Sequence, residues 1–528
     1  MSTNRSALLV AAGILLSRVI GLIRQRIFLH YFGGISDAAD AFTAAFRIPN
    51  FLQNLFGEGA LSASFIPVYA RLLAHGDERE ANRVAGAIFA LLALVTSLLV
   101  LLGVFATPVL IDVIAPGFAG ESELTIGLVR VLFPGAGLLV LSAWCLGILN
   151  SHKRFFLSYA APVVWNVAMI ATLFTFGGQI EQYQLAMALA WGSVLGSALQ
   201  FMVQLPTVLK LARGLRLSLG RNSLEVRAVL RNFVPAFVGR GVVQISAYVD
   251  SMIASLLGTG AVNSLAAARF SNSFRSAFSE CRSRPPNCRQ WQRHRRSRRS
   301  GDLSARSLKR QFAQSGVLDC AIDGGFRNLG DVVTTALYQS GRFTRDETIY
   351  VWLILAGYSA GLLASTLGRL YSSTYYALQD TRTPLRFAIV RVALATALGY
   401  SLAVALPPAL GLTSYWGVFG LTISAALAGW VEFLLLRRKL NARIGQTGLA
   451  LSFSAKLWLS ALTSAGIGWM IKLAVGALHP VLLAIIVLLP YGLLYFALTA
   501  ALKVLEAQES INKIKRTVMR RVSSTPKN

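Results

Sequence analysis

The stretch AGAIFALLALVTSLLVLLGVFATPVLI, residues 85–111, has no charged side chain and is long enough to cross the hydrocarbon core of a bilayer as a helix. Eleven more apolar runs lie near 7–30, 38–69, 125–149, 157–177, 185–208, 232–257, 348–378, 384–405, 416–436, 452–475 and 481–502. Only helices and closed barrels satisfy their backbone groups within lipid, and runs of this length indicate helices. The sequence therefore predicts an all-α polytopic membrane protein with about twelve intact transmembrane helices.

The composition supports a membrane protein despite its strongly basic charge. The 528 residues include 51 Lys and Arg against 23 Asp and Glu, which gives a formal net charge of +28, a value typical of nucleic-acid binders. However, 55% of the residues are hydrophobic and only 14% are charged, which lies outside the range of a soluble basic protein. Four cysteines are too few for a disulfide-stapled scaffold.

The loops between the apolar runs predict how the helices are oriented. Cytoplasmic loops of membrane proteins retain an excess of Lys and Arg. When residues 269–328 are left out, one set of alternate loops holds 25 Lys and Arg, and the intervening set holds 2. We therefore expect both termini to be cytoplasmic, with residues 506–528 forming a basic cytoplasmic tail.

Residues 269–328 break this pattern. They hold 14 Lys and Arg and 4 acidic residues, and they join two loops that the alternation places on the same outer side. Each Arg or Lys at the centre of a span costs roughly 2.5 to 3.5 kcal/mol on insertion scales. The segment as written therefore cannot cross the bilayer, although an even number of spans, zero or two, is required there.

Several apolar runs carry charged side chains, which normally face a cavity or a partner when they lie within a membrane. Four arginines lie deep in their runs or share a helical face with other polar groups, and are predicted to line a cavity: Arg18, Arg24, Arg47 and Arg240. Others near the ends of spans are expected to extend to the headgroups: Arg26, Arg130, Arg386 and Arg391. Buried cations on several helices indicate an anionic ligand, because a proton relay would favour Asp, Glu and His.

Motifs for catalysis or cofactor binding are missing from the sequence. It has no P-loop, which argues against ATP hydrolysis, and its five histidines suggest no triad. Cys281, Cys288 and His294 lack the spacing of zinc ligands. We expect a transporter rather than an enzyme, with no metal and no cofactor.

Six motifs together resemble one family of membrane transporters. They are SRVIGLIRQRIF (17–28), DAFTAAFRIPNFLQNLFGEGALSASFIPVY (40–69), APGF (115–118), GILNS with KRF (147–155), APVVWN (161–166) and YYALQDTRTPLR (375–386). They resemble the MurJ/MviN family of lipid II flippases, within the multidrug/oligosaccharidyl-lipid/polysaccharide exporter superfamily. The resemblance covers nearly the whole chain outside 269–328, and the second motif is highly specific.

The resemblance implies a fold of 14 transmembrane helices in two six-helix lobes plus two C-terminal helices, with a cationic central cavity and a hydrophobic groove for the lipid tail. The implied divisions are an N-terminal lobe at 1–215, a C-terminal lobe at 216–440 that is disrupted at 269–328, and two extra helices at 441–505. The implied cavity positions are Ser17, Arg18, Arg24, Asp40, Asn50 and Asn166. Gln53 occupies a position where many members carry Arg, so Arg47 and Arg240 are candidates for the missing cation.

The function implied by the resemblance is transfer of lipid II from the inner to the outer leaflet of the bacterial cytoplasmic membrane by alternating access. Guanidinium groups would bind its pyrophosphate through paired hydrogen bonds. The implied partners are lipid II, membrane lipids and the cell-wall synthesis machinery, without nucleic acid. Two alternatives stay open: an exporter of another polyprenyl-linked oligosaccharide or a drug, and a basic membrane scaffold that recruits nucleic acid or acidic lipid through 269–328.

A shifted reading frame would also explain the unusual composition of residues 269–328. Codons permitted for FRSAFSECRS, residues 274–283, can be regrouped by one nucleotide into PVSLFGMSV, and RPPNCRQW continues as SAAELPAM. The opposite regrouping converts VLDCAIDGGF, residues 317–326, into FLIVPSMA. We hypothesise that 269–328 is a frameshifted translation of the family's eighth and ninth spans; a genuine basic insertion is the alternative. A chain made as written would lack one wall of the cavity, and its flipping would be impaired.

Overall fold

The computed structural model describes residues 3–114, 116–117, 122–215, 218, 223–280, 299–378, 380, 382–448, 450–476, 478–504 and 508. Regular secondary structure within these ranges is helical throughout, without a β-strand. The predicted all-α class is therefore confirmed.

The helices of the first half of the chain begin and end as follows: α1 (Thr3–Phe32), α2 (Asp37–Leu55), α3 (Ser62–Ala74), α4 (Glu78–Phe105), α5 (Thr107–Ile114), α6 (Ser122–Ser151), α7 (Phe155–Phe176), α8 (Gln182–Leu211), α9 (Leu224–Ser255) and α10 (Ala261–Glu280). A π-helical turn, Phe56–Leu61, joins α2 to α3. The second half contains α11 (Arg299–Asn328), α12 (Gly330–Tyr338), α13 (Arg345–Ala360), α14 (Leu362–Ala377), α15 (Arg382–Tyr400), the short α16 (Leu406–Ala409), α17 (Gly417–Ile444), α18 (Leu451–Val475) and α19 (Pro480–Ala501).

The apolar helices confirm a polytopic membrane protein. Among the described residues, eight helices are long and apolar enough to span a bilayer, and a ninth span results if α13 and α14, which are bent by 40° at their junction, count as one. The remaining predicted runs form α1, the α2–α3 pair and α9, which are also helical. These three carry most of the predicted cavity residues.

The helices divide into two compact units. Unit 1 comprises Met1–Ser264 with Ser340–Thr344, and unit 2 comprises Leu265–Gln339 with Arg345–Asn528. This division into compact units does not test the lobe boundaries that the resemblance implies. Those boundaries, after residues 215 and 440, remain predictions.

Close helix packing in unit 1 depends on small residues of α8. A Cβ added to Gly192 would lie 2.2 Å from Oγ1 of Thr172, and one added to Gly196 would lie 2.9 Å from Cδ1 of Trp165. Both neighbours belong to α7. The two glycines therefore let α7 and α8 approach closely, as small residues do in membrane helix pairs.

The C-terminal half of α11 packs inside unit 2. The Phe312 ring stacks on Tyr371 with 4.8 Å between centroids, and the Tyr495 hydroxyl donates a 2.7 Å hydrogen bond to the carbonyl of Val317. The same half of α11 buries two carboxylates, because Asp319 is 0% exposed and Asp323 is 2% exposed. Burying a carboxylate is costly, so α11 has an unusual composition for a packed helix.

The turn after α6 yields a prediction about pH. Nε2 of His152 lies 3.1 Å from the Tyr69 hydroxyl, and burial lowers the pKa of His152, an effect that Glu78 opposes and Arg154 reinforces. Folding therefore disfavours the protonated imidazole, whose pKa in the unfolded chain is about 6.5. The stability that this histidine contributes should be lost progressively as the pH falls from about 6.5 towards the lower folded-state pKa.

Thermal unfolding of the purified chain, followed from about pH 7.5 down to about pH 5, checks this expectation. The melting temperature of the unsubstituted chain should fall more steeply over that range than that of His152→Gln. Equal slopes for the two chains would show that His152 does not carry the pH dependence.

Candidate functional site

The guanidinium of Arg24 lies against two aromatic rings and a thioether within unit 1. Its Cζ is 5.1 Å from the ring centroid of Trp165 and 5.9 Å from that of Phe46. These two rings stack on each other, with 5.6 Å between centroids and 16° between planes. Nη1 of Arg24 donates a 3.7 Å hydrogen bond to Sδ of Met169. We call Phe46, Trp165 and Met169 the aromatic cage of Arg24, since both ring distances are within the range of cation–π contacts.

Four helices position the cage. Arg24 comes from α1 and Phe46 from α2, while Trp165 and Met169 are four residues apart on α7 and therefore share one of its faces. The indole N–H of Trp165 donates to both the carbonyl and the hydroxyl of Ser193 on α8, at 3.2 Å each. The close approach of α7 and α8 at Gly196 thus supports the ring against which Arg24 lies.

The electrostatics of this site differ from those of an ordinary buried arginine. No carboxylate among the described residues forms an ion pair with Arg24, and its only hydrogen bond to another described side chain goes to a thioether. Aromatic rings attract a cation without cancelling its charge, and sulfur is a weak acceptor. The arrangement therefore leaves a positive charge, with most of its N–H donors, available to an anionic ligand.

Six other predicted cavity residues lie on α1 and α2, the helices that carry Arg24 and Phe46, and four of these six are Ser17, Arg18, Asn50 and Gln53. Ser17 is partly buried on α1 and, seven residues before Arg24, shares its helical face; Arg18 is partly buried beside it. On α2, Asn50 and Gln53 are partly buried, four and seven residues after Phe46. Asn50 and Gln53 therefore lie on the same face of α2 as Phe46.

Arg47 lies on α2 and is hydrogen-bonded to α9, and Arg240 lies on α9 itself. The Tyr248 hydroxyl of α9 donates a hydrogen bond to the carbonyl of Arg47, and the Tyr248 ring meets Phe51 edge-on at 5.1 Å. Arg240 lies on the helical backbone of α9, but its side chain falls outside the described residues. Its cavity role stays a prediction.

Asp40 and Asn166 are bound to the protein backbone in this structure. The Asp40 side chain is 1% exposed, and its two oxygens accept 2.7 Å hydrogen bonds from the backbone N–H groups of Gly260 and Asn263, at the start of α10. Nδ2 of Asn166 donates a 2.9 Å hydrogen bond to the carbonyl of Pro162 within α7. These bonds fix the backbone near the site, and contact of either residue with a substrate stays a prediction.

The three cage residues are not among the site residues predicted from the sequence. Those residues were marked by polarity within an apolar run or by the family resemblance, whereas Phe46, Trp165 and Met169 are apolar or aromatic and match the surrounding span. One signal was available, because Phe46 directly precedes Arg47 and Trp165 directly precedes Asn166, both predicted site residues. Aromatic neighbours of intramembrane polar residues are candidates for holding a cation.

Unit 1 also contains an apolar cavity of about 460 Å³ between α2, α4, α5, α6 and α9. Its lining includes Phe51, Leu52, Leu99, Phe133 and Tyr248. An apolar wall of this kind suits hydrocarbon and would not stabilise a charged headgroup. The described lining of this cavity therefore supplies no cation for an anionic headgroup.

The chain matches a known protein family over most of its length. The family model described as lipid II flippase MurJ matches residues 29–274 and 324–503 and leaves 275–323 unmatched. A protein of Bdellovibrio bacteriovorus named "Probable lipid II flippase MurJ" is 30% identical over 457 residues, covering 82% of this chain and 81% of that protein. The "Lipid II flippase MurJ" of Burkholderia cenocepacia is 30% identical over 464 residues, covering 83% and 84%.

Solved structures show the same fold. A structure described as lipid II flippase MurJ in an inward closed conformation superposes with a TM-score of 0.75 at 21% identity, covering 94% of this chain and 98% of that one. An inward-facing multidrug resistance transporter of the MATE family superposes with a TM-score of 0.60 at 16% identity, covering 81% and 95%. Because the family model and the relatives both cover well over half of the sequence, the chain belongs to the lipid II flippase MurJ family of membrane transporters.

Proposed function

We propose that this chain transfers lipid II from the inner to the outer leaflet of the bacterial cytoplasmic membrane by alternating access, and that Arg24 binds the pyrophosphate of the substrate. Family membership supports the reaction. The single observation that supports the site is the Arg24 guanidinium, which is held by the aromatic cage without a carboxylate partner among the described residues.

The chemistry of the site suits this substrate. A guanidinium presents a planar fork of N–H donors that matches two phosphate oxygens, and such charge-assisted pairs are stronger than neutral hydrogen bonds. Ser17, Arg18, Asn50 and Gln53 would add polar contacts from α1 and α2. Arg47 and Arg240 remain the candidates for a second cation.

The chain would lie in the membrane with both termini in the cytoplasm and would supply lipid II to enzymes on the outer side. The excess of Lys and Arg in alternate loops, 25 against 2 outside residues 269–328, supports cytoplasmic placement of both termini. Helices that rock about a central site would then expose Arg24 first to the cytoplasmic leaflet and then to the outer one. The cell-wall synthesis enzymes that use lipid II would be the downstream partners.

The two alternatives have weaker support. The MATE structures are less than 25% identical to this chain, so they support the fold and not drug export. A scaffold that acts through the basic segment would depend on residues 275–323, which the family does not share. A scaffold that acts through 269–328 gives no role to an arginine held in a cage inside a span, whereas an exporter of another polyprenyl-linked oligosaccharide would use the same cation and is separated from a lipid II flippase by the substrate it transports.

Complementation tests the proposed function. Cells depleted of their own lipid II flippase should regain growth and outward transport of lipid II when they express this gene with its reading frame restored across 269–328. A restored chain that inserts into the membrane at normal levels and supports neither would overturn the proposal. Frame repair also separates out the scaffold, because it removes basic residues on which a scaffold would depend, so that a scaffold would lose its function where a flippase regains it.

A further inference from the structure

We propose that Trp165, with Phe46, is a positioning residue for substrate binding: the two rings hold the Arg24 guanidinium in place while leaving its charge available to the pyrophosphate. This inference rests on the proposed function and deepens it. It concerns residues that neither polarity nor charge marks as part of a site.

Aromatic rings stabilise the Arg24 guanidinium inside its span. Intramembrane cations normally pair with a carboxylate, bond to backbone carbonyls or extend to the headgroups. Among the described residues Arg24 makes none of the carboxylate or carbonyl contacts, and its guanidinium is instead within 6 Å of two ring centroids. The aromatic rings therefore supply the favourable electrostatics that a carboxylate would otherwise supply.

Stabilisation by rings leaves the N–H donors of Arg24 available to an anionic ligand. A carboxylate beside Arg24 would neutralise it and occupy the donors that a phosphate needs. Rings interact with the cation through its charge and leave N–H groups for an incoming anion. The remaining hydrogen bond, from Nη1 to Met169, goes to a weak acceptor that a phosphate oxygen would readily replace.

The Trp165 ring is held in place by α8. Trp165 is itself fixed by two hydrogen bonds to Ser193 and by the close contact of Gly196 with its Cδ1 edge and its carbonyl. A binding group that is held in its productive geometry by a supporting shell loses less freedom when the ligand binds. The α7–α8 contact thus orients Arg24 through the indole ring.

Binding measurements on the full-length chain in lipid nanodiscs test the inference. The probes are undecaprenyl pyrophosphate and, as a control without the anion, undecaprenol. Trp165→Leu should weaken affinity for undecaprenyl pyrophosphate about fivefold, the loss expected for one cation–π contact of about 1 kcal/mol. Trp165→Phe keeps a ring but loses the hydrogen bonds to Ser193, so its loss of affinity should be smaller than that of Trp165→Leu. Affinity for undecaprenol should not change in either variant.

Matched variants separate positioning from general packing. Trp191→Leu removes an exposed indole from α8 and should leave both affinities unchanged. If Trp165→Leu does not fold, Phe46→Leu tests the second ring and should also weaken binding of the pyrophosphate probe alone. If a folded Trp165→Leu or Phe46→Leu variant binds the pyrophosphate probe normally while Arg24→Ala binds it much more weakly, the rings do not position Arg24. The proposed role of Arg24 in binding the pyrophosphate would still stand. Normal binding by Arg24→Ala would instead overturn the proposed function of Arg24.

Discussion

Restoring the reading frame across residues 269–328 is expected to convert a chain with impaired lipid II transport into one that sustains growth of flippase-depleted cells. The restored segment would replace most of the 14 Lys and Arg of 269–328 by apolar helices of the kind that PVSLFGMSV and FLIVPSMA begin. Each basic residue at the centre of a span costs roughly 2.5 to 3.5 kcal/mol, so the written segment cannot supply the two missing spans. Growth and outward transport of lipid II are the measurements.

Three observations support this expectation. The family model stops at residue 274 and resumes at 324, close to both ends of the segment that the sequence marks as odd. The regrouped strings are apolar and occur at both edges of the gap. In addition, the written α11 buries the carboxylates of Asp319 and Asp323, where the regrouped text FLIVPSMA carries no charge.

Two outcomes would contradict the frameshift. Resequencing of the locus could return the same frame throughout, which would make the basic segment a genuine insertion. Equal transport by the written and the restored chains would show that the segment does not impair the protein. A restored chain that also carries Arg24→Ala is the matched negative control for transport.

Replacement of Arg24 by alanine in the frame-restored chain is expected to reduce lipid II transport by a factor of ten or more. A hydrogen bond to a charged group contributes about 1.5 to 3 kcal/mol, which corresponds to roughly a tenfold to hundredfold loss of binding. Arg24→Lys should retain part of the activity, because it keeps the charge but loses the paired geometry. The initial rate of lipid II translocation at fixed protein amount measures the effect.

Arg130→Ala is the matched control for this substitution. Arg130 is exposed on α6 and is predicted to extend to the headgroups, so its removal should change transport by less than about twofold. Equal losses for Arg24→Ala and Arg130→Ala would indicate a general effect of removing positive charge. Unchanged transport by Arg24→Ala would remove the binding role of this arginine.

The membrane class and the positions of the helices could be predicted from the sequence, because long apolar runs admit few other structures. Residues 85–111, for example, contain no charged side chain, and they form most of α4 and α5 in the structure. The role of Arg24 as a cavity candidate followed from the cost of placing a cation inside a span. That cost is local to the residue and needs no knowledge of its neighbours.

The surroundings of Arg24 could not be predicted, because they depend on which helix faces meet. Phe46 and Trp165 are 119 residues apart in the sequence, and an aromatic side chain in a span is equally compatible with lipid contact. Asp40 illustrates the same limit, since the family resemblance implied a cavity position for it while the structure directs both of its oxygens to the backbone at the start of α10.

Translocation of lipid II in reconstituted vesicles tests the central claim most directly. The frame-restored chain would be incorporated into vesicles with lipid II on one leaflet, and the appearance of the headgroup on the other leaflet would be followed over time. Fast appearance with the restored chain, and at least a tenfold slower rate with its Arg24→Ala variant, is the predicted result. Rates equal to those of protein-free vesicles for a folded, correctly inserted restored chain would contradict the account.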